Sequence, residues 1–194
     1  MNHHFCHYYI STTHLPRNNT IEYCNLAFAV GCRAFHIEIY SEGGEPSLNK
    51  PDFISTNEAP LPDLLSLMRD KAFEVSKYPV ILILELHCRE SVQQKLAAML
   101  KTYLGFGLTK DFNDVPTPAE CKERFLLVCD SSFAQENEST TVHKALQDLC
   151  TFEMILFKNS LQAVQKGFET NRKMAGRQIL RVKDAQLGLN MEKG

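Results

Sequence analysis

Histidines and acids scattered along the sequence are the groups that could do chemistry, His14, His36, Glu38 and Glu85 among them. His14 follows one short run of apolar, β-branched or aromatic residues and Glu85 falls near the end of another, while His36 and Glu38 lie within a third. An imidazole titrates near neutral pH and serves as a general acid or base. A carboxylate is a hard oxygen ligand for divalent cations. Two imidazoles and two carboxylates, where a fold brings them together, make a donor set in which nitrogen favours zinc or iron over calcium. The plainer alternative is structural. A carboxylate ending an apolar strand needs a partner when buried, so Glu85 reads equally well as a hydrogen-bonding residue.

Other clusters carry less. His3, His4, Cys6 and His7 crowd an N-terminus, where such groups are more often mobile than metal-binding. Gly43-Gly44-Glu45-Pro46 is a turn signal and not a phosphate loop, because no Gly-Lys-Ser/Thr follows. Glu85-Leu86-His87-Cys88 lacks the spacing of a zinc protease helix. The seven cysteines include no CxxC pair, which reads as reduced thiols of a cytosolic protein.

The elements that must position these residues follow from periodicity. Strands are expected over His7–Thr13, Arg33–Tyr40, Asp52–Thr56, Val80–Leu86 and Arg124–Cys129. Val80 to Leu84 is continuously apolar, as suits a parallel strand buried on both faces. Helices are expected over Ile21–Val30, stopped by Gly31, over Leu61–Val75 and over Glu90–Leu104. Leu61, Leu64, Leu65, Met68 and Ala72 form one core face; Val92, Leu96, Met99, Leu100 and Tyr103 form another. Residues 130–149 read as a polar linker with one helical segment at most, and Ser160–Leu180 as mainly helical. Strand and helix in alternation specify a parallel α/β sheet or barrel.

With 194 residues the chain can bury a core, yet falls short of the roughly 250 of a full (β/α)₈ barrel. A formal charge of −2 gives no basic field for nucleic acid. The basic residues of 172–183 are too sparse for a polybasic membrane anchor, and no apolar run is long enough to cross a bilayer. The expected location is cytoplasmic, with peripheral membrane contact needing another domain.

Four segments together resemble the X box of eukaryotic phosphoinositide-specific phospholipase C. His7-Tyr-Tyr-Ile-Ser-Thr-Thr-His14 is similar to the family's first barrel strand, which ends in Ser-Ser-His-Asn-Thr-Tyr. Gly31-Cys32-Arg33 within 22–40 matches a typical Gly-Cys-Arg. Tyr78-Pro79-Val80-Ile81-Leu82, followed by Glu85 and His87, resembles Tyr-Pro-Val-Ile-Leu-Ser-Leu-Glu-Asn-His. Pro116-Thr-Pro118 and the strand after it resemble the segment closing the X box. Phe152-Glu153-Met154 and Arg177-Gln178-Ile179-Leu180-Arg181-Val182 look like the opening of the Y box.

The resemblance implies a partial TIM-type (β/α) barrel. It divides into an X-box-like half over residues 1–130, a short linker over 131–151, and a truncated Y-box start over 152–194. Such a chain holds only part of one barrel, as a fragment, a truncated isoform or the product of a broken gene. The family cleaves phosphatidylinositol 4,5-bisphosphate to diacylglycerol and inositol trisphosphate with calcium and two histidines. His14 matches the first histidine. Glu38 and Glu85 match calcium-associated carboxylates, while Leu15 and His36 stand where the family has an asparagine and an acidic ligand. The second histidine would fall at Lys50 or Pro51. Substrate lysines are matched by Val128 and Asp130, the Y-box serine pair by Ile155 and Leu156, and a phosphate-binding arginine by Arg181, with Lys183 at a nearby tyrosine position.

Two functions follow as expectations. One is a phospholipase C-like protein of lipid signalling that has lost catalysis, binds calcium weakly or not at all, and engages a phosphoinositide lipid or a protein partner. The other is a divergent phosphodiesterase that uses His14 and a remodelled metal site.

Overall fold

The structure is a computed structural model, and it describes residues 1–50, 59–108, 116–130, 142–157 and 178–182. In chain order its strands are β1 (Thr12–His14), β2 (Ala34–Glu42), β3 (Glu45–Ser47), β4 (Val80–Leu86), β5 (Phe125–Asp130), β6 (Cys150–Phe157) and β7 (Gln178–Val182). The α-helices are α1 (Thr20–Ala29), α2 (Leu61–Lys71), α3 (Glu90–Leu104) and the short α4 (Lys144–Gln147). Six strands pair in parallel in the order β1-β2-β4-β5-β6-β7, and β3 joins β2 antiparallel. This is a partial (β/α) barrel.

Alternation along the strands divides the sheet into two faces. Phe35, Ile37 and Ile39 of β2, Val80, Leu82, Leu84 and Leu86 of β4, and Phe125, Leu127 and Cys129 of β5 share one core with the helices. Each such aliphatic side chain contributes about 1.5–3 kcal/mol by leaving water. The helices meet this face with Cys24, Ala27 and Phe28 of α1, with Leu61, Leu64, Leu65 and Met68 of α2, and with Val92, Leu96 and Leu100 of α3. The Phe28 and Phe35 rings pack with centroids 4.5 Å apart. The opposite face carries a smaller apolar cluster of Ala34, Ile81, Leu126, Val128 and Phe152, against which Phe5 packs. Beyond that cluster, toward the strands' C-terminal ends, the same face turns polar.

The helix ends explain how the strands are aimed. Gly31 adopts φ of 90°, a left-handed geometry that glycine takes without strain, and it reverses the chain after α1 into β2. α2 ends at Lys71 and not at Val75. There Arg33 intervenes, its Nη1 donating to the carbonyls of Ala72 at 2.7 Å and Ser76 at 3.2 Å. These bonds satisfy backbone acceptors that further helix would have used.

Several expectations need correction. The first strand begins only at Thr12, and Phe5–His7 forms a 3₁₀ turn whose Phe5 ring packs edge-on against Phe152. The turn at Gly43-Gly44 makes a hairpin, both glycines having positive φ, and so adds β3, which periodicity did not show. β6 starts at Cys150, inside the expected linker. Residues 178–180 belong to β7 and are not helical, because they pair in parallel with β6. The expected strand Asp52–Thr56 and the rest of Ser160–Leu180 lie outside the described residues.

Candidate functional site

Register sets the site. β1, β2 and β4 align His14 with His36 and Ile83, then, one pleat further along, Glu38 of β2 with Glu85 of β4 and Asp130 of β5. Residues two apart share a face, so His36, Glu38 and Tyr40 line up on β2, and Glu85 and His87 on the end of β4. The His87 amide donates to the Ile39 carbonyl at 2.8 Å, which continues the ladder one residue past β4.

The two carboxylates each gather their own partners. Glu85 is 8% exposed; its Oε1 lies 2.8 Å from His87 Nε2 and its Oε2 lies 2.9 Å from His36 Nε2. The buried His36 Nε2 makes this contact off the alignment of a hydrogen bond. Burial alone would raise the Glu85 carboxyl, but the two imidazoles outweigh it and hold the group well below the usual carboxylate range. Glu38 accepts from Arg17 Nη2 at 2.8 Å and from the Tyr40 hydroxyl at 2.7 Å, both on Oε2. Its Oε1 lies 3.3 Å from His14 Nε2. Burial opposes ionisation here as well, and the Arg17 and Tyr40 bonds more than offset it, so Glu38 stays below its ordinary range. Burial and the neighbouring carboxylate push the Tyr40 phenol up to about 12.

The loop after β1 delivers Arg17. Leu15 turns into the apolar core, 6% exposed, and its amide donates to the His36 carbonyl at 3.0 Å. Thr20 Oγ1 then donates to the carbonyls of Pro16 at 2.8 Å and Arg17 at 3.2 Å, which holds the loop closed. A small recess lies beside it, lined by Leu15, Pro16, Arg17, Thr20, Ile37, Glu38 and Leu48.

The structure therefore brings His14, His36, Glu38 and Glu85 to one strand-end cluster. Arg17, Tyr40 and His87 join them, and sequence reading had not placed these three there. Strand alternation carried a signal for Tyr40 and His87, since each follows a site carboxylate by two residues. Arg17 comes from a loop and had none. Val128 and Asp130 are buried, at 0% and 2% exposure. Lys50 lies at the exposed edge of the described residues, and Pro51 lies outside them. Arg181 is on β7, with its side chain outside the described residues.

These residues do not fit calcium, which seeks about six to eight oxygen ligands. Leu15 has no oxygen and points into the core, His36 offers nitrogen, and both carboxylates are engaged by internal donors. Among the described residues no group of three His, Cys, Asp or Glu side chains is arranged to hold a metal ion.

Fold and cluster define an α/β half-barrel with acidic and imidazole groups at its strand C-termini. Residues 1–130 match the family model for the phosphatidylinositol-specific phospholipase C X domain, and the chain belongs to that family. It is 35% identical over 129 residues to human 1-phosphatidylinositol 4,5-bisphosphate phosphodiesterase delta-3, covering 62% of this chain and 16% of the relative. It is 30% identical over 141 residues to Phosphoinositide phospholipase C 1 of Arabidopsis thaliana, covering 66% and 25%. The chain thus spans a quarter or less of the length of these relatives. Among solved structures, PLC21 of L. pealei superposes with a TM-score of 0.73 at 18% identity, covering 94% of this chain and 31% of that one. PLC21 of S. officinalis gives 0.71 at 18% identity, covering 94% and 30%. No helix among the described residues is long and apolar enough to cross a membrane.

Proposed function

We propose that this chain is a phospholipase C X-domain protein of intracellular lipid signalling that does not cleave its family's substrate, and that it acts by binding a phosphoinositide lipid or a protein partner. One observation carries the reading: both oxygens of Glu85, the better kept of the two carboxylates matched to family calcium ligands, are occupied by His36 and His87. A hard cation would have to compete with both imidazoles for this carboxylate, and imidazoles are themselves poor calcium ligands. His14 keeps the first histidine position, but its nearest acid, Glu38, is tied to Arg17. Without a second histidine the leaving alkoxide lacks an acid, which costs about 10²–10⁴-fold in rate.

This reading includes a division into an X-box-like half over 1–130, a linker from 131, and a Y-box start. It is supported by β6 lying directly beside β5 in parallel. It also includes a cytoplasmic location, with membrane contact supplied by another domain. Arg181 as a remnant phosphate ligand belongs to the same reading.

The test is hydrolysis of radiolabelled phosphatidylinositol 4,5-bisphosphate in vesicles by the longest native product that contains this chain. Calcium, zinc and manganese are tried separately, with a melting curve to show that the protein is folded. The expected result is no metal-dependent turnover, together with retained binding to the vesicles or capture of a protein partner. Turnover abolished by His14→Ala would establish the divergent phosphodiesterase instead.

A further inference from the structure

We propose that Cys150 and Cys129 form a redox site. Cys150 takes up a low-molecular-weight disulfide such as oxidised glutathione, and Cys129 resolves it into a bond that staples β5 to β6. This device stands apart from the function proposed above, since it uses none of the strand-end histidines and carboxylates.

Register brings the two thiols together. Leu127 pairs with Cys150 and Val128 with Phe152, so Thr151 is an extra residue on β6 and the ladder is irregular there. The Thr151 hydroxyl accepts from the Leu127 amide at 3.3 Å. Cys129 follows Leu127 by two residues, shares its face and belongs to the same core. Its sulfur lies 3.2 Å from that of Cys150, whose thiol also lies 3.4 Å from the Leu146 carbonyl. The sulfurs of a disulfide are about 2.05 Å apart, so closure asks for an approach of about an ångström. Cys150 is the first residue of β6, on the irregular side of the ladder, where the backbone is least constrained against that shift.

Their surroundings give the two sulfurs different parts. Among the described cysteine side chains Cys150 is half-buried, while Cys24, Cys32, Cys88, Cys121 and Cys129 are buried. A solute therefore meets Cys150 first. Burial pushes the Cys24 and Cys121 thiols up to about 12 and the Cys88 thiol up to about 11, which leaves them inert. The Cys150 contact and burial push the Cys129 thiol up as well, so it holds its proton until a partner sulfur is beside it. In the first step the Cys150 thiolate attacks one sulfur of the small disulfide; a mixed disulfide forms and one small thiolate leaves. In the second the Cys129 sulfur attacks that of Cys150 and expels the other. Each departing thiolate takes up the proton that a cysteine gave up. Two protein thiols are thus oxidised to one disulfide, and one small disulfide is reduced to two thiols. The new bond ties β6 to the end of β5, where Asp130 stands level with Glu85 of β4. In a reducing compartment such a bond is transient, which suits a switch.

Trypsin separates the thiols concerned. Cleavage after Arg124, Lys144 and Lys158 puts Cys129 on residues 125–144 and Cys150 on 145–158. Cleavage after Lys77 and Arg89 puts Cys88 on 78–89. The full chain, folded and fully reduced, would be incubated with oxidised glutathione, capped with N-ethylmaleimide and mapped by mass spectrometry without reduction. The expected product joins 125–144 to 145–158, whereas Cys129→Ser retains glutathione on Cys150. Cys129→Ala gives the same comparison if the serine variant does not fold. The bond closes a loop of about 20 residues, so the oxidised wild type should melt about 5–10 °C above the reduced protein and return to it with dithiothreitol. Glutathione persisting on Cys150 of the wild type, a bond from Cys129 to Cys88, no reaction at Cys150, or an unchanged melting temperature would each overturn the assignment. Lipid cleavage, present or absent, bears on the proposed function and leaves this peptide map intact.

Discussion

The Tyr40 ring stacks on the His87 imidazole, with centroids 4.6 Å apart and planes 11° from parallel. Tyr40 also donates its hydroxyl to Glu38, and His87 contacts Glu85. The stack thus joins two carboxylate groups on neighbouring strands into one network. Such networks are coupled, and removing one member leaves its partners incompletely satisfied.

Tyr40→Phe keeps the ring and removes only the hydroxyl. The expected cost is about 1.5–3 kcal/mol, since the lost bond goes to a charged acceptor in a half-buried setting. Urea unfolding measures it. Alkaline titration of tyrosine absorbance offers a second check: the wild type should show a tyrosine ionising at about 12, and the variant should lack it.

Glu85 makes stability depend on pH in a direction fixed by its shift. Its folded pKa lies below the unfolded value, so the unfolded chain binds the proton more readily. The contribution is complete above the ordinary glutamate pKa of about 4.3 and drains away as pH falls toward the depressed folded value. Glu85→Gln should cost about 1.5–3 kcal/mol near neutrality and flatten the stability curve below pH ~4.3. Identical acid-side slopes for the two proteins would contradict the assignment.

Leu15→Asn reinstates an oxygen where the resemblance expects one. Because the native side chain is packed in the core, the change should cost about 2–4 kcal/mol in lost apolar burial and poorly satisfied polarity. Calcium should leave the melting temperature of this variant unchanged. A calcium-dependent rise would show that the loop can turn the residue outward.

Gly107→Ala tests the packing under β5. A Cβ at this position would lie 2.7 Å from Phe125 Cδ2, and Phe125 is only 2% exposed. The ring has little room to yield, and a loss of about 1–3 kcal/mol is expected. Gly105→Ala, where a Cβ meets nothing within 4 Å, should be close to neutral. Thermal melts of the two side by side give the comparison.

The sequence by itself determined the framework. The apolar run from Val80 and the helical face ending at Leu104 have the bounds expected of them, because burial on both faces and a 3.6-residue period leave direct marks in residue order. His14, His36, Glu38 and Glu85 were legible as one set through the resemblance carried by the segments around them, which strand position alone did not supply. Other features depended on distant partners. The first strand shortened because its early residues turn away and bring Phe5 onto Phe152, and residues 178–180 became a strand because β6 offered an open edge. Only the tertiary structure decided what the site carboxylates do. Arg17 reaches Glu38 across a loop, and His36 meets Glu85 through the parallel register of β2 and β4, where His87 joins it from the end of the same strand. Pairwise electrostatics depends on distances of a few ångströms, and those distances exist only after the strands have been laid side by side.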